Sequence, residues 1–277
     1  MTLCTLNQEL HIAKSKRYAL AGLVILGWED AKYYVKAAEE ISCPIILQVG
    51  PKCRENTPIE IIGPMLKNLA EDSSINIVTL LDHSSNLEEC KRALDSGFSS
   101  IMFDGSKMEF NKNIDMTCKA VELAKSYGAS VEAELGVVGY EKGIKSEFTD
   151  PELAQEFYAA TQVDALAISV GNTHLEQEKA TEVNTKLLSQ IEKFVNCPLV
   201  IHGGSGIKNP QLYWLAKNTA ICKINIGTEL RKVFGEKLRG YLLNNPTIFD
   251  RIEILSRVYE NIIPATKKII LNLRPDK

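Results

Sequence analysis

Three of the four histidines in this chain stand where a run of apolar residues ends. His83 closes INIVTLLDH, His174 closes ALAISVGNTH, and His202 follows PLVI. Three imidazoles that leave a fourth position open are the usual ligand set of a catalytic divalent metal, most naturally zinc. The pattern therefore predicts a three-histidine zinc site, while His11 lies in a polar stretch before the first apolar run and is left out.

Carboxylates accompany these histidines. Asp82 directly precedes His83, so its side chain takes a different direction and is placed to give or take a proton beside a metal-bound substrate. Asp104 and Glu134 end the next two apolar runs, and we expect them to orient His83 or to offer a second metal position. For Glu132 and Glu134 an alternative stays open, because both point the same way along VEAEL and could form a polar pair in a sheet interior.

Two segments of small residues indicate a phosphate site. HGGSG (202–206) and NIGT (225–228) would let backbone N–H groups approach an anion, with hydroxyl and amide side chains as further donors. The predicted phosphate-binding residues are Gly203, Gly204, Ser205, Asn225, Gly227 and Thr228. A metal beside a phosphate pocket suits reversible aldol chemistry on a sugar phosphate, and equally an enolising isomerase or epimerase.

The elements that must position these residues are eight apolar runs separated by amphipathic stretches. The runs are 18–25, 44–49, 75–83, 99–106, 130–136, 165–174, 198–206 and 221–228. Nearly continuous hydrophobicity suits parallel strands covered on both faces. The order predicts an α/β protein, a (β/α)8 TIM barrel spanning 1–277 as a single domain, with extra C-terminal helices. An open doubly wound sheet is the alternative, but it leaves the eight runs unexplained.

A barrel would place the predicted site residues on one rim. The C-terminal ends of its strands and the loops after them form the active site, and the loops after strands seven and eight commonly bind phosphate. This arrangement brings His83, His174 and His202 together beside the two small-residue segments.

Composition narrows the function classes. With 277 residues and a net charge of −3, nothing favours a nucleic acid or a membrane surface as a partner. No apolar segment reaches the roughly 18 residues that a membrane span needs, and the N-terminus lacks the order of a signal peptide. Seven cysteines without a CxxC pair indicate a reducing compartment, so we expect a cytoplasmic protein.

Several motifs in fixed order resemble the class II (zinc-dependent) ketose-bisphosphate aldolases, which include fructose- and tagatose-1,6-bisphosphate aldolases. The resemblance runs from about Tyr18 into the C-terminal helices, and its spacing is closer to the tagatose type. It is carried by LDH (81–83), SSIMFDGS (99–106), SVEAELG (130–136), YAATQVDALAISVGNTH (158–174), PLVIHGGSGI (198–207) and CKINIGTELRKVF (222–234). It implies a lyase acting through the enediolate of a dihydroxyacetone-phosphate-like donor, assembled as a homodimer or homotetramer.

The resemblance also assigns roles to residues. It implies zinc on His83, His174 and His202, with the acid/base role on the aldehyde oxygen for Asp82. Asp104 and Glu134 match acids of an alternate metal position, and the small-residue segments match the cradle of the dihydroxyacetone phosphate. Arg251 falls near a family arginine that reaches a substrate phosphate, and a monovalent cation accompanies that phosphate.

The departures from the family pattern lie on the substrate side. At four positions this chain has a different residue from the family: Val24 replaces an Asn, Gly50 replaces a Ser, and Ser84 and Leu175 each replace a Gly. The loop read as GGxED in the family is GYEKG (139–143), which puts Glu141 one place early and Lys142 at the position of a proton-transferring acid. One interpretation is an aldolase with another substrate, in which Lys142 binds an anion and Glu141 substitutes as base. The other is a regulatory or partner subunit without turnover, although three intact histidines favour retained metal chemistry.

Overall fold

Parallel strands alternate with helices along the chain. The computed structural model describes residues 2–139, 146–175 and 181–274. The strands in these residues are β1 (Leu3–Cys4), β2 (Leu20–Ile25), β3 (Ile45–Val49), β4 (Ile77–Ser84), β5 (Ser100–Phe103), β6 (Ser130–Leu135), β7 (Ala165–Ile168), β8 (Leu199–Ile201) and β9 (Ile221–Ile226).

Helices follow nearly every strand. They are α1 (Leu6–Lys16), α2 (Trp28–Glu39), α3 (Pro51–Asn56), α4 (Ile59–Glu71), α5 (Leu87–Asp95), α6 (Phe110–Ser126), α7 (Pro151–Thr161), α8 (Thr185–Phe194), α9 (Asn209–Asn218), α10 (Thr228–Asn244), α11 (Arg251–Glu260) and α12 (Ile262–Asn272). A short 3₁₀ turn, Gly204–Gly206, lies between β8 and α9.

The sheet closes on itself. Strands β2 to β9 pair in parallel with their neighbours in sequence order, and β9 returns to pair with β2. Within the described residues this makes an eight-stranded barrel, with β1 added beside the start of β4. The predicted (β/α)8 barrel is confirmed, and the open doubly wound alternative is wrong.

Local sequence accounts for the element boundaries. The strands are buried along almost their whole length, as strands covered by helices on one side and by the barrel interior on the other must be. Helix α7 begins at Pro151, with the Asp150 side chain accepting from the N–H groups of Glu152 and Leu153. Gly97 follows α5 with a φ of 92°, a conformation that favours glycine.

The N-terminal segment closes the end of the barrel opposite the predicted site. Leu6 and Leu10 of α1 are fully buried against side chains of the barrel interior. The backbone N–H groups of Leu6 and Asn7 donate to the hydroxyls of Ser100 and Ser130, at distances of 2.9 and 3.0 Å. The sequence did not predict this plug, which leaves the C-terminal rim as the open end of the barrel.

The C-terminal helices pack beside the first βα unit. Tyr259 of α11 stacks on Tyr33 of α2 with ring centroids 5.4 Å apart, and its hydroxyl donates to Asp30 at 2.8 Å. The extra helices predicted from the sequence are therefore present, and α11 packs on α2. Among the described residues, no helix combines the length and the apolar character that a membrane span requires.

Candidate active site

Three histidines meet at the C-terminal rim of the barrel. His83 lies near the end of β4, His174 in the loop after β7, and His202 directly after β8. One ring nitrogen of each lies within 4.8 Å of the others. The apolar runs 165–174 and 198–206 are longer than the strands they contain, β7 and β8. The polar and glycine residues at the end of each run leave the sheet and form the rim.

A break in β4 explains how two successive residues reach one site. The register between β4 and β5 shifts between Leu81 and Ser84, and His83 has a φ of 52°. A regular strand would send Asp82 and His83 to opposite faces, whereas a bulge re-aims the side chains locally. Both residues line the same cavity.

Arg54 of α3 holds this part of the rim from behind. Its guanidinium donates to the carbonyl oxygens of Val49, Asp82 and His83 at 2.8, 2.7 and 3.1 Å, and it pairs with Glu89 at 3.0 Å. Carbonyl groups left without ladder partners by the bulge are thereby satisfied. Arg54 was not singled out from the sequence, because its partners lie in three other elements and most of them are backbone atoms.

Carboxylates surround His83. Its Nδ1 lies 2.8 Å from Asp104 Oδ2 and 3.8 Å from Glu134 Oε2. Burial acts to lower the pKa of His83, but the charge of Asp82 and the hydrogen bond to Asp104 outweigh it and raise the pKa to about 10. Burial, followed by the charge of Asp104, raises the pKa of Glu134 to about 8. This negative environment favours a bound cation.

His202 is held by a buried chain of charges. Its Nε2 lies 3.0 Å from Glu132 Oε1, and the other oxygen of Glu132 accepts from Lys223 Nζ at 2.6 Å. With Nε2 donating its hydrogen to Glu132, Nδ1 is the ring nitrogen whose lone pair is left for a ligand. Glu132 is thus the acid that supports a histidine, whereas Glu134 lies beside His83 and His202, at 3.4 Å from His202 Nδ1.

A divalent cation fits this donor set. Burial, followed by the charge of His83, lowers the pKa of His174 and of His202, which favours the neutral form of both rings. His202 Nδ1 and Glu134 Oε2 are buried without a hydrogen-bond partner among the described residues, and such atoms are costly unless something binds them. Neutral imidazoles with a nearby carboxylate match zinc chemistry.

Asp82 is a buried carboxylate that faces the cavity. Its side chain is 5% exposed, and Oδ1 has no hydrogen-bond partner in the part of the chain that the structure describes. A Cβ placed on Gly50 would lie 3.6 Å from Oδ2, so the small residue leaves the carboxylate accessible. The position suits a group that exchanges a proton with a bound substrate.

The cavity has a volume of about 340 Å³ and extends from the histidines to the small-residue segments. Gly203 has a φ of 69°, and a Cβ there would lie 2.1 Å from the Thr173 carbonyl oxygen. Ser205 Oγ accepts from the N–H groups of Gly227 and Glu229 at 3.3 and 3.2 Å, which leaves its own hydrogen to donate. The Asn225 side chain is 4% exposed, and neither amide atom has a partner among the described residues.

Most predicted site residues come together here. The predicted residues that line the cavity are Asp82, His83, His174, Gly203, Ser205, Asn225, Gly227 and Thr228. Gly204 faces inward instead, since a Cβ on it would lie 2.3 Å from Ile224. Glu141 and Lys142 lie outside the described residues.

Arg251 is not brought to the cavity within one chain. Its side chain is 84% exposed at the start of α11 and lies 3.8 Å from Glu29. Arg231 of α10, which was not singled out from the sequence, lines the cavity instead. Its position one turn after Thr228 was the available signal, because residues three apart lie on the same helix face.

The positions that depart from the family pattern divide into two kinds. Val24, Gly50 and Leu175 all line the cavity, where they give it an apolar wall. Ser84 has a local role, since its Oγ accepts from the Asn86 N–H at 3.3 Å ahead of α5.

Comparison with known proteins agrees with this geometry. The sequence model of the family described as class-II fructose-bisphosphate aldolase matches residues 4–275. The chain is 33% identical over 262 residues to a fructose-bisphosphate aldolase of Geobacillus stearothermophilus, covering 92% of this chain and 91% of that protein. It is 35% identical over 246 residues to a 6-phospho-5-dehydro-2-deoxy-D-gluconate aldolase of Shouchella clausii, covering 86% and 83%.

A solved structure is also similar over nearly its whole length. The crystal structure of the YdjI aldolase from Escherichia coli K12 superposes with a TM-score of 0.87 at 29% identity, covering 98% of this chain and 97% of that one. A family match of this extent, with relatives above 30% identity, settles the assignment. The chain belongs to the class II fructose-bisphosphate aldolase family, and it is a metal-dependent aldehyde-lyase.

Proposed function

We propose that this protein cleaves and forms a ketose (bis)phosphate by way of the enediolate of a dihydroxyacetone-phosphate-like donor. The observation that carries the proposal is a cluster of three histidines with nitrogens within 4.8 Å, two of which, His83 and His174, line the same cavity as a glycine, serine and asparagine cradle. A metal centre and an anion site in one cavity match a phosphorylated carbonyl substrate.

His83, His174 and His202 would hold one zinc ion per chain. When bound, zinc supplies a Lewis acid for the carbonyl oxygen and stabilises the negative charge that develops next to it. The protein's own contribution is orientation: Glu132 fixes the tautomer of His202, and Asp104 fixes the ring of His83. Asp104 and Glu134, with His83, offer the alternate metal position.

Asp82 would move the proton at the aldehyde oxygen. Carbon–carbon cleavage of the ketose phosphate turns the hydroxyl of the departing half into an aldehyde, so a base must take that proton. In the reverse direction the same group returns it. Asp82 lies in the cavity wall with one carboxylate oxygen unpartnered among the described residues. Glu141 and Lys142 remain predicted contributors from the loop that lies outside those residues.

The phosphate would lie against Gly203, Ser205, Asn225 and Thr228. The Ser205 hydroxyl and the Asn225 amide both have donor capacity left for a ligand. Anion binding by backbone N–H groups and hydroxyls at this end of a barrel is common. A monovalent cation beside the phosphate and an Arg251 contact remain predictions.

We propose further that the protein is a cytoplasmic homodimer or homotetramer in which the whole chain forms one domain. Three apolar side chains near the end of α10 and the start of α11 support an assembly, since Leu243, Phe249 and Ile252 are 80%, 93% and 76% exposed. Light scattering on the purified protein would give the number of chains. No nucleic acid or membrane partner is expected.

The reaction can be tested by supplying fructose 1,6-bisphosphate and other ketose phosphates to the zinc-loaded protein. We expect formation of an aldehyde and of a triose phosphate, lost on chelation and restored by zinc. Cleavage that survives complete removal of the metal would contradict the proposal.

Exchange of solvent deuterium into dihydroxyacetone phosphate separates the alternatives. An aldolase exchanges the proton next to the carbonyl and, given an aldehyde, forms the new carbon–carbon bond. Exchange without any aldol product on a panel of aldehydes would indicate an enolising isomerase. Ligand binding with neither exchange nor cleavage would indicate a regulatory subunit.

A further inference from the structure

Arg231 places a cation in the wall of the active-site cavity. It lies in the first turn of α10, one turn after Thr228, and lines the same cavity as the predicted phosphate cradle. Neither the sequence motifs nor the proposed zinc chemistry gives it a role.

The guanidinium lies across Gly227. A Cβ built on Gly227 would come within 2.9 Å of Arg231 Nη2 and within 3.2 Å of the Val24 side chain. The φ of Gly227 is −140°, so glycine is needed here for space and not for backbone conformation. The absence of a side chain at position 227 therefore gives the guanidinium room beside the cradle.

The guanidinium also has donor capacity to spare. Its Nε is buried and has no hydrogen-bond partner among residues 2–139, 146–175 and 181–274. The nearby carboxylate of Asp30 already accepts from the Leu26 N–H at 2.7 Å and from the Tyr259 hydroxyl at 2.8 Å. Burial is the main cause that raises the pKa of Asp30, and the charge of Arg231 lowers it only as the smallest of the named effects.

The other side chains of the cradle carry no positive charge of their own. Gly203, Ser205, Asn225 and Thr228 offer neutral donors, whereas a phosphate monoester carries close to two negative charges at neutral pH. Taking such an anion out of water is costly unless a positive charge accompanies it. Among the described residues that line the cavity, the cationic ones are Lys52, exposed at the start of α3, and Arg231, which shares a helix with Thr228.

We propose that Arg231 binds the substrate phosphate as a charged member of the cradle and selects phosphorylated over unphosphorylated donors. A planar guanidinium suits this role because it can donate two parallel hydrogen bonds to phosphate oxygens. The identity of the donor rests on the proposed function, but the anion site itself does not.

The test measures binding to the zinc-loaded, full-length protein by calorimetry, with inorganic phosphate, dihydroxyacetone phosphate and dihydroxyacetone as probes. Arg231→Met should weaken both phosphate-containing probes by about 10- to 100-fold, the usual effect of losing a charged hydrogen bond. Dihydroxyacetone affinity and zinc content should not change. The phosphate affinity of Arg231→Lys should lie between those of the unsubstituted protein and of Arg231→Met, because lysine keeps the positive charge but cannot donate two parallel hydrogen bonds.

Arg239→Met is the matched control, since Arg239 is an exposed residue of the same helix that does not line the cavity. It should bind every probe as the unsubstituted protein does. Phosphate affinity that is equal in the Arg231 and Arg239 variants overturns the proposal, and so does an unsubstituted protein that binds neither phosphate probe. Zinc content and thermal unfolding identify a variant that has failed to fold, and Arg231→Lys then decides.

The outcome is separable from that of the proposed reaction. Arg231-dependent phosphate binding without deuterium exchange would leave this inference standing and remove the aldolase proposal. Deuterium exchange that persists in Arg231→Met, together with unchanged phosphate affinity, would leave the aldolase proposal standing and remove this inference.

Discussion

The two sides of the active-site cavity are built differently. On the metal side, His83 and His202 are each hydrogen-bonded to a carboxylate, and Glu132 in turn is paired with a buried lysine. On the substrate side, Val24 and Leu175 form an apolar wall, and Arg231 keeps an unpartnered Nε among the described residues. Side chains on the metal side are held in place by hydrogen bonds and ion pairs with one another, whereas side chains on the substrate side make few such contacts. Substitutions that change the substrate can therefore accumulate without disturbing the metal ligands.

The largest effect is expected from removing a metal ligand. His174→Ala should lower the zinc content below about one tenth of an ion per chain and lower kcat/KM by about 10³-fold or more, because the metal stabilises most of the developing charge. Metal analysis and cleavage assays on the purified variant measure both. His11→Ala, in α1 outside the site, is the control and should keep zinc and activity. Full zinc occupancy in His174→Ala would contradict the assignment.

Asp82→Asn should lower the cleavage rate by about 10²- to 10⁴-fold, the usual range for a lost acid/base group. Zinc content should stay near one ion per chain, since Asp82 is not among the three nitrogen ligands. Deuterium exchange into dihydroxyacetone phosphate should persist, because it does not require the aldehyde oxygen. Equal losses of exchange and cleavage would place Asp82 in another role.

Glu132→Gln should weaken zinc binding by about 10- to 100-fold, because the tautomer of His202 is no longer fixed. It should also lower the free energy of unfolding by about 3–5 kcal/mol, since Lys223 loses its carboxylate partner in a fully buried position. Chelator competition and denaturant unfolding measure these two quantities.

The double variant Glu132→Gln, Lys223→Met separates the two effects. It should recover most of the stability, because no buried charge remains, while zinc binding stays weak. Recovery of both quantities would show that Glu132 only neutralises the lysine and does not orient the histidine.

The smallest effect is expected on the substrate side. Val24→Asn should change KM for sugar phosphates by less than about 10-fold and the free energy of unfolding by less than about 1 kcal/mol, because Val24 is only partly buried at the cavity wall. Steady-state kinetics and thermal unfolding measure these changes. A decrease in the free energy of unfolding as large as that expected for Glu132→Gln would mean that the two sides of the cavity are not independent.

The barrel could be predicted from the sequence because a strand covered on both faces is apolar along its whole length. The convergence of His83, His174 and His202 followed from that, since polar residues at strand ends must lie on one rim. The exact geometry at Asp82 and His83 could not be predicted. It depends on a register shift against β5 and on a positive φ, and neither leaves a composition signal.

The distinction between Glu132 and Glu134 also needed the structure. Both point into the barrel, as their spacing indicates, and both are buried. Their different roles come from Lys223, which pairs with Glu132 and not with Glu134. Lys223 lies 91 residues after Glu132 along the chain. Arg231 was missed for a similar reason, because its role depends on how α10 leaves β9.

The plug at the closed end of the barrel bears on how the chain folds. Leu6 and Asn7 bond to serines 94 and 123 residues later, and the Ala19 N–H donates to the Leu273 carbonyl at 2.9 Å. Leu6, Asn7 and Ala19 therefore reach these partners only after 94 or more further residues have been made. Contacts of such high sequence separation form slowly, because loop closure must precede them. Until the barrel strands are in place, Leu6 and Leu10 of α1 lack the interior that buries them in the folded protein, so the closing of this end is a late step of folding.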